Sequence, residues 1–408
     1  MGAKEAERKV QSTEVKPVNK VALAYSGGLD SALSIELLRR KYQAKEIVAV
    51  TVDVGQGEEE VRISREKAKT LGLEPLYVDK RDEFTEEWMA KAIRANSSYL
   101  GYPVATSMTR QLIAREVATI ARERGCDAIC EGSTGKGNDQ YRMHNVFALF
   151  APGLHVVVPV RDFDLTRQQE EELCRAWGVP VTETIAGGDD KTVWCRSVAS
   201  GAIDLDQEIP DSVWMWYVPP EKAPDKAQVV ELEFEQGLPV ALDGKRMPLK
   251  DIVPALNTAA GKNGIGKIDM FEDGIMDLKS REIYEAPGAT VILKVHRDLE
   301  QFCLTKEEVQ FKVAIDQKWA YMAYHGEWFH PLRVDLDAFI ETSQRWVNGT
   351  TKVKLYKGTA DIVTRHSKTS LFSPEIRSIK ATGFDQRWCE NAARIKGLPY
   401  EILSKRGF

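Results

Sequence analysis

Two short segments of this 408-residue chain gather the residue types that hold anions and zwitterions. The first is Ser26-Gly27-Gly28-Leu29-Asp30-Ser31, which follows the apolar run Lys20–Tyr25 and precedes a helical pattern. A glycine-rich turn at a helix start aims several backbone N–H groups at one anion. The missing side chains let a phosphate approach the backbone, and serine hydroxyls add donors. The plainer reading is an ordinary glycine-rich turn; the place after the first strand and the flanking serines favour a phosphate site. The second segment is Glu131-Gly132-Ser133-Thr134-Gly135-Lys136-Gly137-Asn138-Asp139-Gln140-Tyr141-Arg142. It supplies both signs of charge and several donors, which suits a zwitterionic amino acid beside a nucleotide; a solvated loop is the alternative. No side-chain nucleophile is called for. A third stretch, Gly261–Lys267, spells G-x-x-x-x-G-K, but Ile268 stands where a Ser or Thr would hold magnesium, and no phosphate role is expected there.

The elements that must position these loops follow from hydrophobic patterning. Lys20–Tyr25, Glu46–Val54, Glu74–Val78, Asp127–Glu131 and Leu154–Val160 have the β-branched, apolar character of buried parallel strands. Between them Ser31–Tyr42 and Met108–Arg124 carry apolar residues at helical spacing, and Thr166 with Gln169 makes a capping box at the start of another helix. Strands alternating with helices predict a doubly wound, mainly parallel α/β sheet, with both candidate loops at its carboxyl edge, where ligands bind in such sheets. That nucleotide-binding domain is expected over residues 20–180, after a flexible tail at 1–19. An α+β second domain is expected over 181–385, with strands at Val229–Phe234, Ala289–Val295, Val353–Tyr356 and Asp361–Val363 and helices at Leu249–Ala259 and Asp335–Val347. Residues 386–408 read as a C-terminal arm.

Composition bounds the function classes. At 43% hydrophobic and 29% charged residues the chain can bury a full core, which excludes a wholly disordered or collagen-like protein. Fifty-six basic against sixty-one acidic residues give a net charge of -5, with no sign of a nucleic-acid footprint. No apolar run approaches the roughly 18 residues that span a bilayer, and Met1–Val18 has no apolar signal core, so neither membrane nor export is expected. The six cysteines contain no C-x-x-C pair, and neither they nor the six histidines show metal-ligand spacing. Reduced cysteines, a cytoplasmic setting and no structural metal follow.

The spelling S-G-G-x-D-S resembles the loop of the ATP pyrophosphatase superfamily, whose members split ATP into AMP and pyrophosphate. Taken with Gly132–Arg142, it is similar to the argininosuccinate synthetase family, which reads AYSGGLDTS and GxTGKGNDQxR. Gly55-Gln56, Thr106–Arg110, Ile268–Glu272, Lys279–Pro287 and Leu355–Gly358 extend the resemblance over nearly the whole chain. It implies a ligase that condenses citrulline with aspartate through a citrullyl adenylate, in a homotetramer whose C-terminal arms reach across subunits. By that resemblance ATP, with magnesium on its phosphates, lies on Ala24, Tyr25, Ser26, Gly27, Gly28, Leu29, Asp30 and Ser31, with Val52 and Gly132 beside it. Aspartate is held by Thr134, Asn138 and Asp139. Citrulline is held by Tyr102, Ser107, Asn138, Arg142, Ser197, Glu272 and Tyr284. Asp30, Asn138, Asp139 and Arg142 are the residues the resemblance puts nearest the chemistry. Arg142 can fork a carboxylate, and Glu272 and Asp139 can each receive an ammonium.

The chain departs from the family pattern at Ala32, Val160 and Met143-His144, and on the citrulline side at Gly188 and Ala199. Those last two leave open a paralogue that joins aspartate to a different ureido or amide acceptor. A tRNA-directed enzyme of the superfamily lacks support, for want of a basic face or cysteine pair. A non-catalytic binding protein would have no need of both intact loops.

Overall fold

The structure, a computed structural model, describes residues 2–135, 137–180, 190–200, 205–380 and 382–407. Five parallel strands form the first sheet: β1 (Lys20–Ala24), β2 (Glu46–Asp53), β3 (Leu76–Asp79), β4 (Ala128–Cys130) and β5 (His155–Val157). Their order is β3-β2-β1-β4-β5. The chain winds outward through β2 and β3, then returns to place β4 against the other side of β1. The order therefore reverses between β1 and β4, and a crevice opens beyond their carboxyl ends. Both loops singled out above leave the sheet at that point. Fold class and strand positions agree with the sequence reading.

Alternation along each strand buries both faces of this sheet. Val21 and Leu23 of β1 and Ala128 and Cys130 of β4 face α1 (Gly2–Ser12) and α2 (Leu29–Arg40), and Ala22, Val50, Val52 and Ile129 face the other way. The second face meets α4 (Thr106–Glu123), which follows α3 (Glu58–Thr70) and buries Met108, Leu112 and Val117. α5 (Asp139–Phe150) and α6 (Arg167–Trp177) complete this half; α6 begins at Thr166 with the expected capping box to Gln169. Residues 2–12, read from sequence as part of a loose tail, form a helix instead. Its polar composition hides two apolar residues four apart, Ala6 and Val10, both buried against the sheet's outer layer. Glu7 accepts the Trp177 indole N–H at 3.3 Å and fixes α1 on α6.

The remaining chain builds two antiparallel sheets. One has the order β11-β12-β7-β6, from β6 (Asp190–Lys191), β7 (Arg196–Ser200), β11 (Lys267–Asp273) and β12 (Lys279–Glu285). The other, β10-β9-β8-β13-β14, comes from β8 (Gln228–Glu235), β9 (Leu238–Leu242), β10 (Lys245–Arg246), β13 (Gly349–Tyr356) and β14 (Thr359–His366). Helices α7 (Leu249–Lys262), α8 (Pro287–Cys303), α9 (Lys306–Tyr324) and α10 (Pro331–Ser343) pack with them, and α11 (Trp388–Ser404) buries no residue. The apolar core on the α4 side runs without a break into this half, through Trp194, Leu256, Val291 and Trp319.

One strand expectation fails. Ala289–Val295 lies within α8, where Ala289, Val291, Ile292, Leu293, Val295, His296 and Leu299 are all buried. The polar stripe of the helix, Thr290, Lys294, Arg297 and Gln301, shows its period only over the longer span; within the seven residues read as a strand it contributes only Thr290 and Lys294, and the β-branched residues imitate a strand. The helix read at Asp335–Val347 exists four residues earlier, because Pro331 occupies its first turn and the His330 imidazole accepts the Leu332 N–H at 3.1 Å.

Burial of α1 is testable. Val10→Asp should cost about 2 kcal/mol or more of global stability, read as a lower midpoint in urea denaturation; an unchanged midpoint would mean that α1 does not dock in solution.

Candidate active site

β1 ends at Ala24, and the chain turns through Ser26–Gly28 into α2, whose cap is Gly28. Gly27 takes φ +79°, and a Cβ there would lie 2.7 Å from Ser64. The position therefore requires glycine twice over. Hydroxyls shape the turn: Ser26 Oγ accepts the Gly28 N–H at 3.2 Å, and Ser31 Oγ donates to the Gly28 carbonyl at 3.2 Å. Lys67 Nζ donates to the Gly27 carbonyl at 2.9 Å, and Arg167 pairs with Asp30 at 2.7 Å. Glu170, one turn along α6 from Arg167, is buried beside Asp30, and burial first and that carboxylate second hold its proton well above the usual carboxylate range. Two positive groups and a helix start thus surround the loop. Tyr25 and Val52 are buried beneath it.

The loop after β4 touches this turn. A Cβ on Gly132 would sit 3.0 Å from the Ser31 nitrogen and 3.2 Å from the Asp30 carbonyl carbon. Glu131 just before it is buried, with Ser133 donating to it from both backbone and side chain at 2.7 and 2.8 Å. Burial pushes the Glu131 carboxyl up to about 7 against those hydrogen bonds. Beyond it Asn138 stands at the N-cap position of α5 without a side-chain capping bond, so Asn138, Asp139 and Arg142 lie together at the helix start.

Asp139 does not present a free carboxylate. Arg110, from α4, donates to Oδ2 at 2.7 Å, and Arg142 donates to Oδ1 at 2.9 Å. Burial raises its pKa, but the two guanidinium groups outweigh that and hold it at about 2. Arg110 also pairs with Asp190 on β6, and Arg142 Nε donates to the Tyr324 carbonyl at 2.8 Å. Neither oxygen of Asp139 is left to an ammonium alone, because buried guanidinium groups must find anions. Arg142 likewise spends part of its fork inside the protein.

The residues from the second half arrive on adjacent strands. Glu272 on β11 accepts Tyr284 O–H at 3.0 Å and Tyr324 O–H at 2.5 Å. Ser197 on β7 lies opposite Tyr284 on β12 in register. Tyr284 stacks on Tyr102 with ring centroids 4.1 Å apart. The Tyr102 hydroxyl caps α4, accepting the Ala105 and Thr106 N–H groups at 2.9 Å each. Ser107 is fully buried, and its hydroxyl meets no partner among the described residues. Gly188 lies outside the described residues, and Ala199 is described only as backbone paired with Ile283. The structure thus joins Asn138, Asp139, Arg142, Glu272, Tyr284 and Tyr102 in one connected cluster. Sequence reading missed two of its members. Arg110 stood inside a quoted motif with no role; Tyr324 stood in no motif at all.

Two family profiles match the chain: Arginosuccinate synthase N-terminal HUP domain over residues 20–180, and Arginosuccinate synthase C-terminal domain over residues 188–403. The chain belongs to the argininosuccinate synthase family. An argininosuccinate synthase of Methanopyrus kandleri is 44% identical over 393 residues, 95% of this chain and 100% of that one. Those of Methanocaldococcus jannaschii and Archaeoglobus fulgidus are each 42% identical, covering 94% and 95% of this chain and 98% and 99% of theirs. Family membership over the full length of these relatives makes the chain an enzyme, a C–N ligase that uses ATP as substrate.

Two outcomes test the geometry. Gly132→Ala should push the Ser31 backbone and raise the KM for ATP about ten-fold, since overpacking costs ~1–3 kcal/mol; an unchanged KM would separate the two loops. Glu131 holds its proton more tightly folded than unfolded. Its favourable term is therefore complete below about pH 4.3 and lost as pH rises through about 7. Glu131→Gln should gain stability relative to the parent at pH 8 over pH 5, measured by urea midpoints; parallel curves would refute the assignment.

Proposed function

We propose that the two loops and the β11–β12 face divide one reaction between them. ATP lies on Ala24–Ser31 with Val52 and Gly132 alongside, its phosphates facing the α2 N-terminus and the loop amides. The ureido oxygen of citrulline attacks the α-phosphorus and pyrophosphate leaves; the amine of aspartate then attacks the activated carbon, and AMP leaves with its oxygen. The observation that carries this reading is the contact of Gly132 with Ser31, which sets the amino-acid loop against the phosphate loop at the reversal of strand order.

Citrulline reaches Ser107, whose buried hydroxyl lacks a partner, and the carboxylate of Glu272, with Tyr102, Tyr284, Ser197, Asn138 and Arg142 around it. Aspartate reaches Thr134, Asn138 and the Asp139 turn, where Arg110 and Arg142 attract its carboxylates. The rate gain comes from orientation and from fixed positive groups around the transferred nucleotide. Among the described residues no group of three or more His, Cys, Asp or Glu could hold a metal ion. Magnesium would accompany the ATP phosphates, with Asp30 in the phosphate loop the carboxylate available to it or to its waters, and it would neutralise the departing pyrophosphate.

The reading extends to assembly and setting. Ile379, Trp388, Ile395, Leu398, Tyr400 and Ile402 are exposed along the arm. Apolar surface of that kind asks for cover, and a second copy in a cytoplasmic homotetramer supplies it.

Pyrophosphate release should require citrulline and aspartate together and yield argininosuccinate by mass analysis. Asp30→Ala should abolish release and Asn138→Ala should cripple turnover in folded protein. Near-normal activity in either variant would place the site elsewhere.

A further inference from the structure

Tyr324 is the last residue of α9 and is fully buried. Its ring stacks on Tyr99 with centroids 3.9 Å apart, and the Arg142 guanidinium lies 4.6 Å from its ring centre. Its hydroxyl sits between the two halves of the amino-acid site. Ile275 N–H donates to Asn138 Oδ1 at 2.8 Å, which turns the amide so that Nδ2 donates to Tyr324 Oη at 3.0 Å. The tyrosine proton then goes to Glu272 Oε1 at 2.5 Å. Glu272 Oε2 takes the Tyr284 proton. One oriented chain thus runs from the cap of α5 to β11 and β12. The amide oxygen must accept, the amide nitrogen must donate, and each tyrosine hydroxyl has one proton to give, so the direction of the chain is set from Ile275 to Glu272.

We propose that Tyr324 is a positioning residue for ligation, whose hydroxyl fixes the Asn138 amide and the Glu272 carboxylate relative to each other and thereby sets the two amino-acid substrates in mutual register. The proposal rests on the assignment of Asn138 and Glu272 to those substrates. Glu272 is buried, which raises its pKa, and the two tyrosine hydroxyls and Arg142 offset that rise. Tyr324 therefore also keeps Glu272 ionised at lower pH than burial alone would allow.

Tyr324→Phe keeps the ring, its stacking and the carbonyl that Arg142 uses, and removes only the hydroxyl. Steady-state kinetics should show KM for citrulline and for aspartate each raised about ten-fold or more, the scale of a lost hydrogen bond to a charged partner. KM for ATP should stay within about two-fold. The acidic limb of kcat/KM for citrulline should move to higher pH. Glu272→Gln should raise KM for citrulline but leave that for aspartate, and the double variant should be no worse for citrulline than the more damaging single change. A harmless Tyr324→Phe beside a damaging Glu272→Gln overturns the proposal. Independent effects that multiply in the double variant overturn it too. A harmless Glu272→Gln removes the site assignment itself, and the proposal with it. If Tyr324→Phe does not fold, 3-fluorotyrosine at position 324 keeps the oxygen and strengthens the donor. The acidic limb must then move to lower pH, and an unmoved limb overturns the proposal.

Discussion

Asp139, held between Arg110 and Arg142, is the interaction on which the amino-acid half of the site depends. The half-buried Asp139 carboxylate is shared by both guanidinium groups, so losing it would leave Arg110 and the buried Arg142 short of an anion. The three side chains come from α4 and α5, and Arg110 continues to Asp190 on β6 while Arg142 continues to the end of α9. Electrostatic closure of one small cluster therefore fixes four elements from both halves of the chain. On the proposed assignment the donors that face substrate are in place before substrate arrives, so binding does not have to order them.

On the proposed assignment the two substrate classes meet different parts of the protein, for a physical reason. A phosphate chain is a dispersed anion, and backbone N–H groups at a helix start bind it with no side-chain entropy to lose. Hence the first loop is small residues and hydroxyls, with cations such as Arg167 and Lys67 set behind it. An amino acid carries separated opposite charges and must be distinguished from its analogues. That demands side chains held rigidly, which the stacked pairs Tyr102–Tyr284 and Tyr99–Tyr324 provide. The strand reversal between β1 and β4 brings the two kinds of surface together.

What could be read from sequence follows the same division. The parallel strands announced themselves because a strand buried on both faces is a short apolar run between turns, and the first loop because its glycines sit at such a turn. α8 imitates a strand because the run Ala289–Val295 spans only about two turns and shows only two residues of its polar stripe, Thr290 and Lys294. α1 gave a weak signal because Ala3, Ala6 and Val10, although at helical spacing, are small residues in a charged stretch. Arg110 and Tyr324 gave no signal because their importance is relational. An arginine in a helix and a tyrosine at a helix end are common, and only folding sets them against Asp139 and Glu272.

Neighbouring residues also show that a motif match does not by itself state what a side chain does. Tyr102 and Ser107 flank the same helix start. The Tyr102 oxygen accepts two N–H groups of α4, work done elsewhere by a Ser, Thr or Asp cap, which leaves its ring against Tyr284 as the surface it offers the site. Because Tyr102 satisfies those amides, Ser107 in the first turn is not needed as a cap. Its hydroxyl stays buried, with no partner among the described residues. An unpaired buried hydroxyl costs about 1–3 kcal/mol, a cost recovered when a polar ligand supplies the missing partner. On the proposed assignment the tyrosine thus acts through its place at the helix start and its stacking, and the serine through the hydrogen bond that arrangement leaves unmade.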